Sequence, residues 1–444
     1  MDFANPQPDA TAAAIVPLAA RRNFCWMIAG NLVYGACLWG MLVVLAKQGS
    51  EETVGQFAFA LAITAPIILP WMSSLRMLQV TNPAERRLAD YLRARLAVQA
   101  VAIVLIGLIV LAIQPAWQTA AVIGAIAVAK CLDGLGDACH ALFQRRERMD
   151  FIALSLSLNG LLSLGGLWLG MMLTGNVVWA AVGSALASGL TLVCHDAPRA
   201  AALADQTVSK HNCEQPAICQ THWVNMRVLL WVAAPLAFAG TLTSLNPYIP
   251  RYFIENYWGV AELGVFAALA YVAVAGNALI TALAQTMLPR LSRMLAAGEC
   301  GEFRRLLGRL LAFGCVAGLA AVGLAGLLGR PFLSLIYRAQ YAEFADVFLW
   351  LTVAMALGFL VFFLDLAISA ARFFTIQAPI NVAVLAVCLC GSALLIPRHG
   401  LLGAAWTQCL VLLPAVILKG LAVLHACRPA DVTLARGALE AKQS

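Results

Sequence analysis

Lys130, Asp133 and Asp137 are spaced i, i+3 and i+7 in a run that is otherwise nearly free of charge. On a helix this spacing places all three on one face, and His140 continues the stripe. An ion held in hydrocarbon costs at least about 2.5–3.5 kcal/mol unless it is paired or hydrated. Lys130 and Asp133 can pair along the face, as a neutral stitch between helices or as the lining of a polar cavity, and neither reading has the advantage. Asp365 lies near the end of another apolar run. Arg76, Arg290 and Arg372 close three such runs. They read first as interfacial anchors and second as cations that draw an anionic group to the mouth of a cavity. Arg251 is the lone cation of the aromatic-rich stretch Asn246–Glu255, whose Tyr residues suit an interfacial belt, with contact to a bound molecule as the alternative.

Nothing here points to bond-breaking chemistry. The chain has neither a GxxxxGK[ST] phosphate loop nor a GxSxG elbow, so no catalytic residue is nominated and nucleotide hydrolysis is not its own energy source. His211-x-Cys213-x5-Cys219-x2-His222 offers four soft ligands, but its spacing matches no zinc module, and a polar loop without metal is expected.

The elements that must position these residues are membrane helices. Of the 444 residues 62% are hydrophobic and only 11% charged, against about 25% charged in a soluble domain. Uncharged runs such as Ala97–Ile113, Ala312–Leu328 and Val347–Leu364 recur along the chain, each near the roughly 20 residues a crossing requires. Spans are expected at 24–46, 54–75, 96–114, 119–142, 151–173, 177–194, 228–246, 260–286, 310–328, 343–368, 374–396 and 401–418. The polar start and the short Ala12–Ala20 run argue against a cleaved signal. Most of the 29 Lys and Arg then fall on the side holding both termini, which the positive-inside rule makes cytoplasmic. The net charge of +7 therefore carries topology and gives no reason to expect nucleic acid. None of the 13 cysteines falls in an outward loop, and they read as small apolar residues.

The polar segment 195–227 divides the chain. A tail (1–23) precedes an N-lobe (24–194), and a C-lobe (228–418) precedes a second tail (419–444). Each half carries a similar phrase at the start of its second span, Val54-Gly-Gln-Phe-Ala58 and Leu263-Gly-Val-Phe-Ala267. A parallel duplication of this kind encloses a central cavity that rocking of the lobes opens to either side. The fold expected is an all-α membrane protein of about twelve transmembrane helices in two six-helix lobes around a cavity. Pro66, Pro70, Pro235, Pro247 and Pro250 would bend the helices that line it.

In Glu52–Pro66 with Leu75-Arg76, in Lys130-x2-Asp133-x3-Asp137 leading to Gln144–Asp150 and Ser155, and in Pro250–Ile254, Glu262–Phe266 and Pro289–Leu291 followed by Gly298 and Phe303, the chain resembles the Wzx-like lipid-linked oligosaccharide flippases. These form the polysaccharide-biosynthesis branch of the multidrug/oligosaccharidyl-lipid/polysaccharide exporter superfamily. The resemblance implies a non-enzymatic carrier in the bacterial inner membrane. It would move an undecaprenyl-pyrophosphate-linked sugar unit to the periplasmic leaflet for O-antigen (lipopolysaccharide), capsule or exopolysaccharide assembly. Its partners would be the lipid-linked oligosaccharide, membrane lipid, and a polysaccharide polymerase with other assembly proteins.

A pyrophosphate headgroup needs cations, and Arg76, Lys130, Arg251, Arg290 and Arg372 are the candidates for substrate binding. Asp133, Asp137 and Asp365 are the candidates for coupling to protons or sodium, and no cofactor is expected. The chain departs from the resemblance in one respect: only Lys130 lies deep in an expected span, and two carboxylates share its face. A drug or cation exporter of the same superfamily is the first alternative, but such exporters typically carry an acid in the first span, and Asn23–Ala46 has none. A membrane polymerase or ligase is the second, and its larger catalytic outer loop is missing.

Overall fold

The structure, a computed structural model, describes residues 20–81, 88–203, 222–371 and 374–426. It is helical, with no strand among the described residues. The first half comprises α1 (Ala20–Gln48), α2 (Glu51–Thr81), α3 (Leu88–Ile113), α4 (Trp117–Arg145), α5 (Met149–Thr174) and α6 (Val177–Thr191). The second comprises α7 (His222–Leu245), the short α8 (Ile249–Trp258), α9 (Val260–Ala296), α10 (Cys300–Ile336), a 3-10 turn at Ala339–Phe344, α11 (Ala345–Ala370) and α12 (Phe374–Ala426).

Ten stretches are long and apolar enough to cross a membrane. One of them is two crossings, because α12 breaks at Gly400, where φ is 56°. Pro397 cannot continue the hydrogen-bond ladder, and the Trp258 indole N–H caps the Ile396 carbonyl at 2.9 Å. With α9, 37 residues long, this makes twelve crossings among the described residues, each overlapping one of the twelve expected spans.

Connections are short and locally encoded. Between α5 and α6, Gly175 takes the left-handed conformation that ends a helix, and the Asn176 side chain accepts from the Val178 N–H at 2.9 Å to open the next. The sixth crossing does not end at residue 194. It passes through a π turn at Leu192–Asp196 and runs on to Leu203, so the segment between the halves starts later than expected. Of the histidine and cysteine cluster, His211, Cys213 and Cys219 lie outside the described residues, and His222 opens α7.

Within the first lobe α1 packs on α5, α5 on α6 and α2 on α4; within the second α10 packs on α11 and α11 on α12. Leu108, Leu111, Trp231 and Leu327 stay exposed, as side chains facing lipid must. The most apolar window of α2 is 67% buried against 17% for α3, which makes α2 a central helix. It is packed by α9 and α7 of the other lobe.

The two repeat phrases meet there. A Cβ on Gly55 would stand 1.7 Å from the Val260 carbonyl oxygen, and one on Gly264 would stand 2.0 Å from that of Glu51. Only glycine permits this approach. At this end, opposite the termini, Arg338 Nη2 donates to the Lys47 carbonyl (2.7 Å), Gln340 Nε2 donates to Glu51 Oε1 (2.9 Å) and Trp39 Nε1 donates to the Tyr337 hydroxyl (3.1 Å). Deeper in, the Tyr252 hydroxyl donates to the Ala62 carbonyl. An apolar cluster spanning both halves, including Phe57, Phe59, Leu263 and Phe266, seals the same end. The lobes are therefore closed on the side of the α1–α2 connection.

Candidate functional site between the lobes

The face read from the sequence exists. Lys130 Nζ pairs with Asp133 Oδ2 at 2.9 Å, and both side chains are largely buried. Asp133 Oδ1 also accepts from Asn159 Nδ2 at 2.9 Å, and Asn159 Oδ1 accepts from the hydroxyls of Ser163 (3.0 Å) and Ser188 (3.2 Å). This network ties α4, α5 and α6 together and spends the charge of Asp133 inside the first lobe. Lys130 lies near Tyr34 on α1 and Tyr271 on α9.

Arg251 has Tyr271 as a neighbour in common with Lys130, in a place the sequence did not indicate. The expected loop after the seventh crossing folds into α8, with Pro250 in its first turn, where a missing N–H costs nothing. Arg251 is thereby buried, 6% exposed, and is no interfacial anchor. Its guanidinium lies over the rings of Tyr248 (5.1 Å) and Tyr271 (5.7 Å). Its Nε and Nη1 have no hydrogen-bond partner, and among the described residues no carboxylate pairs with it.

A second set of charges lies toward the end where α1 starts. Asp137 is held on both oxygens, by Arg76 Nη1 at 2.8 Å and by Arg95 Nη2 at 2.9 Å. Arg76 Nε also donates to Gln144 at 3.2 Å. It faces an open cleft of about 380 Å³ lined by Ser73, Met77, Asp137 and Gln144 among others. The Arg76 side chain is 29% exposed and Arg95 only 1%, so Arg76 is presented and Arg95 is sunk behind it.

Arg95 was not expected inside the protein, because the third span was placed just beyond it. The signal was Tyr91, Arg95 and Gln99 at helical spacing. All three are buried on one face of α3, where Arg95 Nη1 donates to the Gly134 carbonyl at 2.9 Å and Gln99 donates to that of Cys131 at 2.8 Å.

The remaining candidates lie apart. Asp365 pairs with Lys419 at 2.6 Å, a buried lysine that lies inside α12 and not in the expected tail 419–444. Arg290 is exposed on α9. Arg372 lies outside the described residues.

Two helical lobes packed together at one end, with Lys130 and Arg251 buried and a cleft between α2 and α4 at Arg76, define a multi-pass membrane protein. The chain is 26% identical over 386 residues to the capsular polysaccharide biosynthesis protein CapF of Staphylococcus aureus, covering 87% of this chain and 94% of that protein. No family model matches the chain.

Among solved structures, the lipid II flippase MurJ in an inward closed conformation superposes with a TM-score of 0.65 at 12% identity, over 93% of this chain and 90% of MurJ. An inward-facing multidrug resistance MATE family transporter of the MOP superfamily gives 0.61 at 11% identity, over 96% and 97%. An outward-facing MATE structure gives 0.57 at 13% identity, over 96% of each chain. At such identities the likeness is one of fold. The fold is that of the MOP-superfamily transporters, and the resemblance read from the sequence is borne out.

Proposed function

We propose that this chain flips an undecaprenyl-pyrophosphate-linked oligosaccharide from the cytoplasmic to the outer leaflet of a bacterial inner membrane, by alternating access of its two lobes. Both termini are cytoplasmic in this reading, so the cleft at Arg76 is the cytoplasmic entrance. The observation that carries it is Arg251, a guanidinium buried between the lobes with two unpartnered nitrogens and no carboxylate beside it. A buried charge without a partner is costly. A passing diphosphate supplies the missing counter-charge, with Lys130 across the gap as the second cation. Arg76 receives the same headgroup at the entrance, while the prenyl tail stays in lipid and only the polar group crosses.

CapF, a capsular polysaccharide protein by name, supports a polysaccharide pathway, and with it a polymerase as the consumer of the product. A cation exporter is disfavoured, because Asp133, Asp137 and Asp365 are each already neutralised by a basic residue. No step of bond chemistry is assigned to the chain.

The test is reconstitution into vesicles carrying a fluorescent undecaprenyl-pyrophosphate-linked oligosaccharide, with leaflet exposure read by a membrane-impermeant quencher. Wild type accelerates exchange over protein-free vesicles and Arg251→Gln does not. Equal rates for wild type and protein-free vesicles, or transport of a cationic dye in place of the lipid, would overturn the proposal.

A further inference from the structure

Four buried polar side chains that have no part in the binding described so far meet near the end of the first lobe that bears the termini. His140 of α4 shares a 2.8 Å hydrogen bond between its Nε2 and the Ser155 hydroxyl of α5. The same Nε2 faces Asp196 Oδ2 at 3.6 Å, and the other oxygen of Asp196 meets His195 Nδ1 at 2.8 Å. All four residues are buried: His140 8%, Ser155 1%, His195 3% and Asp196 3% exposed.

Two backbone features build the cluster. His195 and Asp196 sit in the π turn of the sixth crossing, a rare helix distortion that is frequent at functional sites. It turns two adjacent side chains inward together, where a regular helix separates neighbours by about 100°. Opposite them, Gly136 of α4 leaves the space: a Cβ there would lie 3.0 Å from Asp196 Oδ2. One nitrogen remains open, since His195 Nε2 is buried and has no partner.

The charge count gives the cluster its chemistry. With both imidazoles neutral, Asp196 leaves one negative charge in the apolar interior. One added proton, held by the imidazoles beside the carboxylate, makes the cluster neutral. The groups around it are already committed. On α4, Asp137 is shared between Arg76 and Arg95, and Cys139 is buried. Arg148 pairs with Asp150 at the start of α5, and Arg199 donates to the His195 carbonyl at 3.2 Å.

We infer that His140, His195 and Asp196 form the proton-binding site of the transport cycle, taking up one proton per turnover. This rests on the flippase reading above. It names the proton as the coupling ion and moves coupling from Asp133, Asp137 and Asp365, each bound to a basic residue, to a cluster whose carboxylate meets, among the described residues, only its two imidazoles. His140 follows Asp137 by three residues on α4, so both lie on one face. Movement of α4 against the π turn on protonation is thereby passed to the Asp137–Arg76 pair at the entrance.

The test has two readouts. The protein, labelled with ¹⁵N-histidine in lipid nanodiscs, is titrated from about pH 5 to 8, the range in which imidazoles change charge, and two of its six histidines are assigned with His140→Gln and His195→Gln. The expected result is a coupled titration of His140 and His195 that Asp196→Asn changes and Asp196→Glu restores. If Asp196→Asn fails to insert, Ser155→Ala removes one partner and should shift the His140 signal alone.

In vesicles, the ratio of flipping with an imposed pH gradient to flipping without it stands above unity for wild type and falls to unity for His140→Gln. Histidines that titrate independently, or a ratio that survives in His140→Gln, would overturn the inference. Absence of flipping by wild type would overturn the flippase reading and the coupling with it, while the titration would still show whether the cluster binds a proton.

Discussion

Replacing either repeat glycine by alanine should open the sealed end. A Cβ at Gly55 would lie 1.7 Å from the Val260 oxygen and one at Gly264 2.0 Å from the Glu51 oxygen, whereas ordinary contact begins at 3.4 Å. The obstructing atoms are backbone carbonyls, so no rotamer change relieves the clash, and α2 and α9 must separate by more than an ångström. Forcing a methyl into a packed interior typically costs about 1–3 kcal/mol. Because only the closed state pays that cost, its population relative to the open state should fall by about 5- to 150-fold at roughly 1.4 kcal/mol per decade.

The assay is disulfide formation between Glu51→Cys and Gln340→Cys, whose parent side chains hydrogen-bond across the lobes at 2.9 Å. Cross-linking should be efficient in the glycine background, and its rate should drop steeply with Gly55→Ala or Gly264→Ala. Gly107→Ala is the control, since nothing lies within 4 Å of a Cβ there. Unchanged cross-linking in Gly55→Ala would refute the idea that this contact closes the gate.

Three further outcomes follow from the charges. Asp137→Ala strands the nearly inaccessible Arg95 without its carboxylate and should lower stability by about 3–5 kcal/mol, read as reduced thermal stability in detergent, whereas the more exposed Arg76→Ala should cost much less and slow flipping instead. Arg251→Gln removes a buried charge that has no counter-charge, so thermal stability should hold or rise while flipping is lost; a large fall in stability would show that the guanidinium has a partner. Lys130→Ala leaves Asp133 without its counter-charge and should impair both insertion and flipping, and the double change Lys130→Ala with Asp133→Asn should recover protein level without recovering flipping.

The crossings were legible because their signal is additive: an apolar run of bilayer length identifies itself without any knowledge of its neighbours. The repeat was legible for a related reason, since Gly55 and Gly264 recur at the same topological place, although their mutual contact was not. Lys130 and Asp133 could be paired from spacing alone because their partnership is local to α4. Asp137 could not, because Arg76 and Arg95 come from other helices, and a charge beside an apolar run is more easily read as a loop residue than as a buried one. Arg251 was misplaced because prolines and tyrosines suggest a loop, yet Pro250 suits a helix start. His195 opens the segment 195–227 that reads as a polar linker, while the chain instead passes through a π turn and stays helical to Leu203.

The distribution of compensation between the lobes bears on how the cycle is driven. In the first lobe Lys130, Arg76 and Arg95 all find carboxylates within that lobe, so those charges are held in place whether or not a substrate is present. Arg251, in the second lobe, is the buried cation for which the described residues offer only ring faces. An anionic headgroup that binds Arg251 and Lys130 together therefore relieves an electrostatic cost located at the lobe boundary, and it does so most fully when the lobes are close around it. Loading with substrate should favour the occluded arrangement, and an empty carrier should find return through that arrangement costly. Proton uptake at His140 and Asp196, as inferred above, would neutralise that cluster and leave the cost at Arg251 in place, so relief at the lobe boundary rests on the headgroup.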